Sequence, residues 1–306
     1  MARPRVGLVL SGGAARGIAH LGVLLALREN AMPIDLVVAA SYGGIVGAYF
    51  ACGYPLENLI RMCGEFRVAS VLNRRAPLRG LFDGEKLAAL LKKDLGEVRI
   101  EELKTLLAIL ALDLTVGDTV IFDRGPLVTA LLATTAFPGL FTPFFHEGRR
   151  YADCGVLREA LIEAARKKGA DIVVFSDASV ISRIEAKWWF RALRSVRAGA
   201  VRPPVEDHRI PRGRFSEGAR SKTGPSMRLT ASSFRRRGFL RTVIKLRIAH
   251  RGLPGVLADV SLAPDLGEIK LLGFRQVERA IEVGRAAARE TLPAIRELLA
   301  RHGGER

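Results

Sequence analysis

Two short apolar runs, each halted by small residues and followed by apolar residues at helical spacing, constrain this chain most. Val6–Leu10 is uninterrupted and stops at Ser11-Gly12-Gly13; from Gly17 to Leu27 apolar positions recur with a helical period. Leu36–Ala40 repeats the arrangement, stopping at Ser41 before an apolar helical stretch from Gly43 to Ala51. Strands that are apolar at every position need cover on both faces, since a sheet with one wet face alternates. The order strand, helix, strand, helix therefore predicts an α/β fold: a mostly parallel central sheet flanked by helices.

The remaining pattern extends this frame. Glu85–Lys93 reads as a helix with Asp83 at its N-cap. Leu106–Leu114 and Thr119–Phe122 flank Thr115-Val116-Gly117-Asp118 as a hairpin. Pro126–Thr134 and Leu157–Lys168 read as helices, Ile172–Phe175 as a strand, and Phe274–Ala300 as a helix broken or kinked near Pro293. A length of 306 residues fits one domain over 1–306.

Charge divides the chain. The net charge is +17, and the stretch from Arg183 to Arg251 holds 19 Lys+Arg against 4 Asp+Glu, leaving about +2 for the rest. Residues 184–251, which include Pro203-Pro204, Pro211 and Pro225, read as a basic, partly disordered insertion: a loop over about 200–232 and an amphipathic helix over about 234–250. In that helix Arg237, Arg241 and Lys245 line one stripe, and Leu240, Ile244 and Ile248 the next. These cations, with Arg235 and Arg236 and with Lys187, Trp188 and Trp189 upstream, are candidate contacts for an anionic membrane surface. Charge alone gives only non-specific affinity for nucleic acid, and no helix-turn-helix, zinc-finger or RNA-binding signature accompanies it; no specific nucleic-acid partner is expected.

Three cysteines (Cys52, Cys63, Cys154) are too few for a disulfide framework and fit a reducing compartment. No apolar run approaches the ~18–20 residues of a membrane span. The N-terminal apolar stretch is broken by Ser11, Gly12, Gly13 and Arg16, which argues against a signal peptide. The expected location is the cytoplasm, with peripheral contact at the inner face of the membrane.

Both turns are suited to chemistry. Gly12-Gly13-Ala14-Ala15-Arg16-Gly17 joins a strand to a helix, where glycines let backbone N–H groups converge on a bound oxygen. A dinucleotide fingerprint has a third glycine where this chain has Ala14, and an acid after the second strand where this chain has Ser41. A P-loop would need GK[ST]. Ala39-Ala40-Ser41-Tyr42-Gly43 is a small-x-Ser-x-Gly turn that projects a serine at the carboxyl end of the sheet; the plainer reading of Ser41 is a helix N-cap. Since both turns end neighbouring strands, amides and serine converge, as acyl transfer requires. None of the five histidines marks itself as a triad member, His20 being the nearest to a turn. Asp153, in Tyr151-Ala152-Asp153-Cys154-Gly155, is the better candidate base, although its neighbourhood reads as a loop.

With those residues in view, the chain resembles the bacterial patatin-like phospholipases. The glycine turn matches the family's oxyanion turn, and Ala39–Gly43 its G-x-S-x-G elbow. Ala133-Thr134-Thr135-Ala136-Phe137-Pro138-Gly139-Leu140-Phe141 is similar to its A-S-x-A-x-P-G-x-F block. Asp153-Cys154-Gly155 stands where D-G-[GA] belongs, and Leu112–Asp118, Gly169-Ala170-Asp171 and Ala263–Gly267 also match. The resemblance covers about 1–180 and 252–300 and implies a three-layer α/β/α fold and a Ser–Asp dyad without histidine. Ser41 would be the nucleophile and Asp153 its base. Gly12, Gly13 and Ala14 would form the oxyanion hole, with Arg16 and Gly17 fixing the turn and Ala39, Gly43, Cys154 and Gly155 supporting the dyad.

The implied reaction is hydrolysis of phospholipid or lysophospholipid acyl esters, needing no cofactor and no metal. Four departures stand against the family pattern. Ala39 replaces the first elbow glycine, Ala14 the third glycine of the first motif, Cys154 puts a side chain beside the base and threatens to shift the Asp153 backbone, and Leu157-Arg158-Glu159-Ala160 stands in place of the family's Asn-x-Pro. The alternative they leave open is a catalytically weak or inactive scaffold that binds membranes or a protein through its basic insertion.

Overall fold

The computed structural model describes residues 3–66, 84–137, 140–179 and 257–304. Its centre is a mixed sheet of β1 (Val6–Leu10), β2 (Leu36–Ala39), β3 (Leu106–Asp113), β4 (Asp118–Phe122), β5 (Phe144–His146), β6 (Arg149–Ala152), β7 (Ile172–Ser176) and β8 (Val260–Leu262). The order is β5-β6-β3-β2-β1-β7-β8, with β4 also on β3. The run β3-β2-β1-β7-β8 is parallel; β4, β5 and β6 are joined antiparallel. The expectation of a mostly parallel, helix-covered sheet holds.

Side chains alternate between two apolar layers. Leu8, Leu10, Val37, Ala39, Ile109 and Val174 face one cluster; Val9, Val38, Ala40, Leu110 and Phe175 face the other. The first face carries helices α1 (Ala19–Glu29), α2 (Ser41–Ala51), α3 (Leu56–Glu65), α4 (Glu85–Leu95), α5 (Leu127–Thr135) and α7 (Val277–Gly304), and the second α6 (Arg158–Lys167). Both faces are therefore dry, which is why these strands carry no polar alternation.

Two expectations need correction. The last helix runs unbroken through Pro293. Pro293 is exposed, and so is Arg289, whose carbonyl loses its N–H partner there, so the gap in the helix ladder lies on the solvent side. The helix at Glu85 starts from Gly84 in a left-handed conformation (φ 81°); Asp83 lies outside the described residues. The whole of the basic insertion, 184–251, also lies outside them, so Lys187, Trp188, Trp189, Arg235, Arg236, Arg237, Arg241 and Lys245, and the helix expected at 234–250, have no structural account.

The topology positions the site in one further way. Along β3, β4 occupies one edge from Ile109 to Asp113, so β2 (opposite Leu106–Ile109) and β6 (opposite Leu112–Asp113) share the other. Parallel β2 and antiparallel β6 thus approach each other head to head on that edge. Their next residues meet in the gap.

Candidate active site

Ser41 follows β2 at the start of α2, with φ at +57°. A left-handed serine costs roughly 1–2 kcal/mol, so its surroundings must hold it there. Three features do. The Ser41 amide donates to Thr134 Oγ1 at 2.8 Å, and that hydroxyl donates to the Leu110 carbonyl of β3 at 2.5 Å. The Ala40 amide donates to the Leu10 carbonyl at 3.2 Å, tying the elbow to β1. Gly43 brings the helix over that strand: a Cβ there would lie 2.3 Å from the Ser11 carbonyl oxygen. Ala39 fits despite its methyl, because the facing residue on α2 is Gly47.

Asp153 follows β6 from the opposite direction. Its Oδ2 accepts from Ser41 Oγ at 2.5 Å, and its Oδ1 accepts from the Gly155 amide at 2.7 Å. The Asp153 amide donates to the Ala136 carbonyl at 3.1 Å. One segment, Thr134–Ala136, thus holds both the serine and the aspartate. Ser41 and Asp153 are 8% and 7% exposed. Burial pushes the Asp153 carboxyl up to about 6, against the downward pull of the Ser41 and Gly155 hydrogen bonds.

Cys154 does not disturb this arrangement. Strand alternation turns its side chain to the opposite face, where it packs in the second apolar cluster, and burial raises its thiol well above the usual range. Gly155 is the position that tolerates no side chain, since a Cβ would sit 2.6 Å from the Gly12 Cα. The Gly12 amide donates to the Gly155 carbonyl at 2.9 Å, so the glycine turn is joined to the Asp153 segment.

The glycine turn lies beside the pair. Ala14 takes φ +47° and opens a short 3₁₀ turn, Ala14–Ile18. Among the described residues the amides of Gly13 and Ala14 have no intramolecular acceptor, and both residues line the same cavity as Ser41. Arg16 is buried; its Nε donates to the Ile269 carbonyl at 2.7 Å, while the Ala15 amide donates to the Leu271 carbonyl at 3.0 Å. Gly17 lies against the Tyr42 side chain.

A buried polar network below the turn was not legible in the sequence. His20 Nε2 lies 3.0 Å from the Ser11 carbonyl, so that nitrogen carries the proton, and Nδ1 accepts from the Ser176 hydroxyl at 2.9 Å. Full burial lowers the His20 pKa to about 4, so the ring is neutral in ordinary conditions. Ser11 Oγ accepts from the Ala178 amide at 2.7 Å and lies 3.3 Å from Asp177, which pairs with Arg158. His20 therefore supports the turn and does not touch Ser41's partner. Only its place after the glycine turn hinted at this.

The cavity above the pair holds about 470 Å³ and is lined mostly by apolar side chains from α2, α3 and α4, with Phe137, Phe141, Leu272 and Phe274 also in its wall. Leu272 is 47% exposed. Among the described residues no helix is long and apolar enough to cross a membrane.

Comparison with known proteins shows the family. A family model described as patatin-like phospholipase matches residues 8–166, which include both turns and the Asp153 segment. An uncharacterised NTE-family protein of Mycobacterium bovis is 33% identical over 207 residues, 64% of this chain and 57% of that protein. The lysophospholipase NTE1 of Debaryomyces hansenii is 30% identical over 178 residues, 56% of this chain and 12% of its own length. The chain thus spans little more than half the length of the first of these relatives. Among solved structures, VipD of Legionella pneumophila matches with a TM-score of 0.54 at 16% identity, over 98% of this chain and 68% of VipD. That likeness is one of fold.

Proposed function

Because the chain belongs to the patatin-like phospholipase family, we propose that it is a serine hydrolase of fatty-acyl esters in phospholipids or lysophospholipids, working through a Ser41–Asp153 dyad. The observation that carries this reading is the 2.5 Å contact between Ser41 Oγ and Asp153 Oδ2 at the base of an apolar cavity. Above pH about 6 the Asp153 carboxylate is ionised and accepts the Ser41 proton as Oγ attacks the ester carbonyl. The Gly13 and Ala14 amides, with no other acceptor among the described residues, receive the developing oxyanion. Collapse expels the alcohol, which takes the proton from Asp153; water then attacks the acyl-serine by the same route and restores Ser41.

Residues 184–251 supply the membrane part of the proposal. Their +14 of net charge is suited to an anionic lipid surface, at about 1 kcal/mol for each cation engaged and weakening with salt. Co-sedimentation with anionic and with neutral vesicles tests this; equal binding to both refutes it.

The dyad is tested with Ser41→Ala and Asp153→Asn against a p-nitrophenyl acyl ester and a phospholipid. Each variant is expected to lose about 10³-fold or more in turnover. A fluorophosphonate probe should label the parent and not Ser41→Ala. Parent-like turnover in either variant removes the dyad, and a parent that resists the probe favours the inactive-scaffold alternative.

A further inference from the structure

The cavity has direction. On α2 it is lined by Ser41, Tyr42, Ile45, Val46 and Tyr49, one stripe of the helix. The neighbouring helices fix which end is which. Near Ser41, the Tyr42 hydroxyl lies 3.3 Å from Cys63 Sγ at the end of α3. Two turns further along, the Tyr49 hydroxyl donates to Asp94 Oδ2 at 2.8 Å at the end of α4. Leu59 of α3 and Leu87 and Leu91 of α4, each buried, also line the wall.

The far end differs in chemistry. Asp94 also accepts at its carbonyl from the Tyr54 hydroxyl at 2.5 Å, and the Tyr49 and Tyr54 rings meet edge to face with centroids 5.0 Å apart. Hydrocarbon pushed past this point would have to break that hydrogen bond and displace the buried Tyr49 ring, which is 4% exposed. The wall is thus soft and apolar along its length and polar and latched at its end.

We propose that the Tyr49–Asp94 hydrogen bond is the end-stop of an acyl tunnel that begins at Ser41. This rests on the acyl-hydrolase reading and names the chain length that reading would favour. Eight helical residues separate Ser41 from Tyr49, an axial distance of about 12 Å. An extended chain advances roughly 1.2 Å per bond, so the tunnel accepts about ten carbons.

Binding of saturated n-alkanoates from C6 to C16, measured by calorimetry on the full chain, tests the end-stop without requiring turnover. In the parent each added CH₂ should tighten binding about fourfold until about C10, and longer chains should gain nothing. Tyr49→Ala opens the end and should carry the rise on to about C14. Ile45→Trp, which fills the tunnel one turn from Ser41, should bring the break down to about C6, and it decides the matter if Tyr49→Ala fails to fold. Affinity that climbs without a break to C16 in the parent, or a break at one length in all three proteins, overturns the proposal. The matching p-nitrophenyl esters separate the two ideas: a break at ten carbons with no ester hydrolysed would uphold the end-stop and remove the hydrolase reading.

Discussion

Asp153 ionises inside a buried site, where the loss of hydration outweighs its two hydrogen bonds, and the fold bears the cost. Its carboxyl is raised from 3.8 to about 6 in the folded chain, with desolvation the leading cause. Between those values the folded state holds a proton that the unfolded state has released, so this residue destabilises the fold as pH rises. The penalty is about 1–2 kcal/mol at pH 5 and reaches about 3 kcal/mol by pH 8, where both states are ionised. Asp153→Asn keeps the shape: its amide oxygen accepts from Gly155 and its NH₂ donates to Ser41 Oγ. The variant should therefore be inactive and more stable. At about 2–3 °C per kcal/mol for a chain of this size, its melting temperature should exceed the parent's by about 3–5 °C at pH 5 and 6–9 °C at pH 8. Thermal melts of both proteins at pH 5, 6, 7 and 8 measure the gap. A gap that stays constant or shrinks as pH rises refutes the argument, as does a parent that is the more stable at pH 8.

Three other expectations follow from the same contacts. Turnover of a soluble ester by the parent should rise with pH to a plateau with a midpoint near 6; a pH–rate profile that is flat from pH 5 to 8 contradicts Asp153 as the base. Thr134→Val strands the Ser41 amide and should cost about 1–3 kcal/mol in chemical denaturation, with a loss of turnover larger than its change in KM; unchanged values would mean that the elbow does not depend on that hydroxyl. Gly155→Ala should yield little folded protein because its Cβ meets the Gly12 backbone, whereas Cys154→Ala should cost only about 1 kcal/mol and stay active; the reverse order in soluble yield would refute the side-chain directions assigned here.

Most of the fold was legible because most of it is dry on both faces. β1, β2, β3 and β7 are continuous apolar runs, and the helices between them keep their period. Elements that carry little burial escaped. Helix α3 buries only Leu56 and Leu59 fully, and β5, β6 and β8 are three or four residues long, with Arg149 and Arg150 inside β6. Their strand character comes from pairing with distant partners, which no local pattern encodes. The site divides in the same way. Ser41 could be singled out because its turn is local. Asp153 could not be matched to it from spacing, since 112 residues separate them and the register of β6 on β3 brings them together. The support from Thr134 and His20 is likewise a product of packing, not of sequence neighbourhood.

That register has a consequence for folding fidelity. β2 and β6 abut on one edge of β3, and the faces of β6 alternate, so a slip of one residue would exchange Asp153 and Cys154. The carboxylate would enter the apolar cluster that now holds the thiol, and the thiol would face Ser41. Burying an unpaired carboxylate there costs several kcal/mol. The misaligned hairpin is therefore disfavoured by the same side chain that makes the aligned one competent. Asp153 proofreads the sheet before it can serve the reaction.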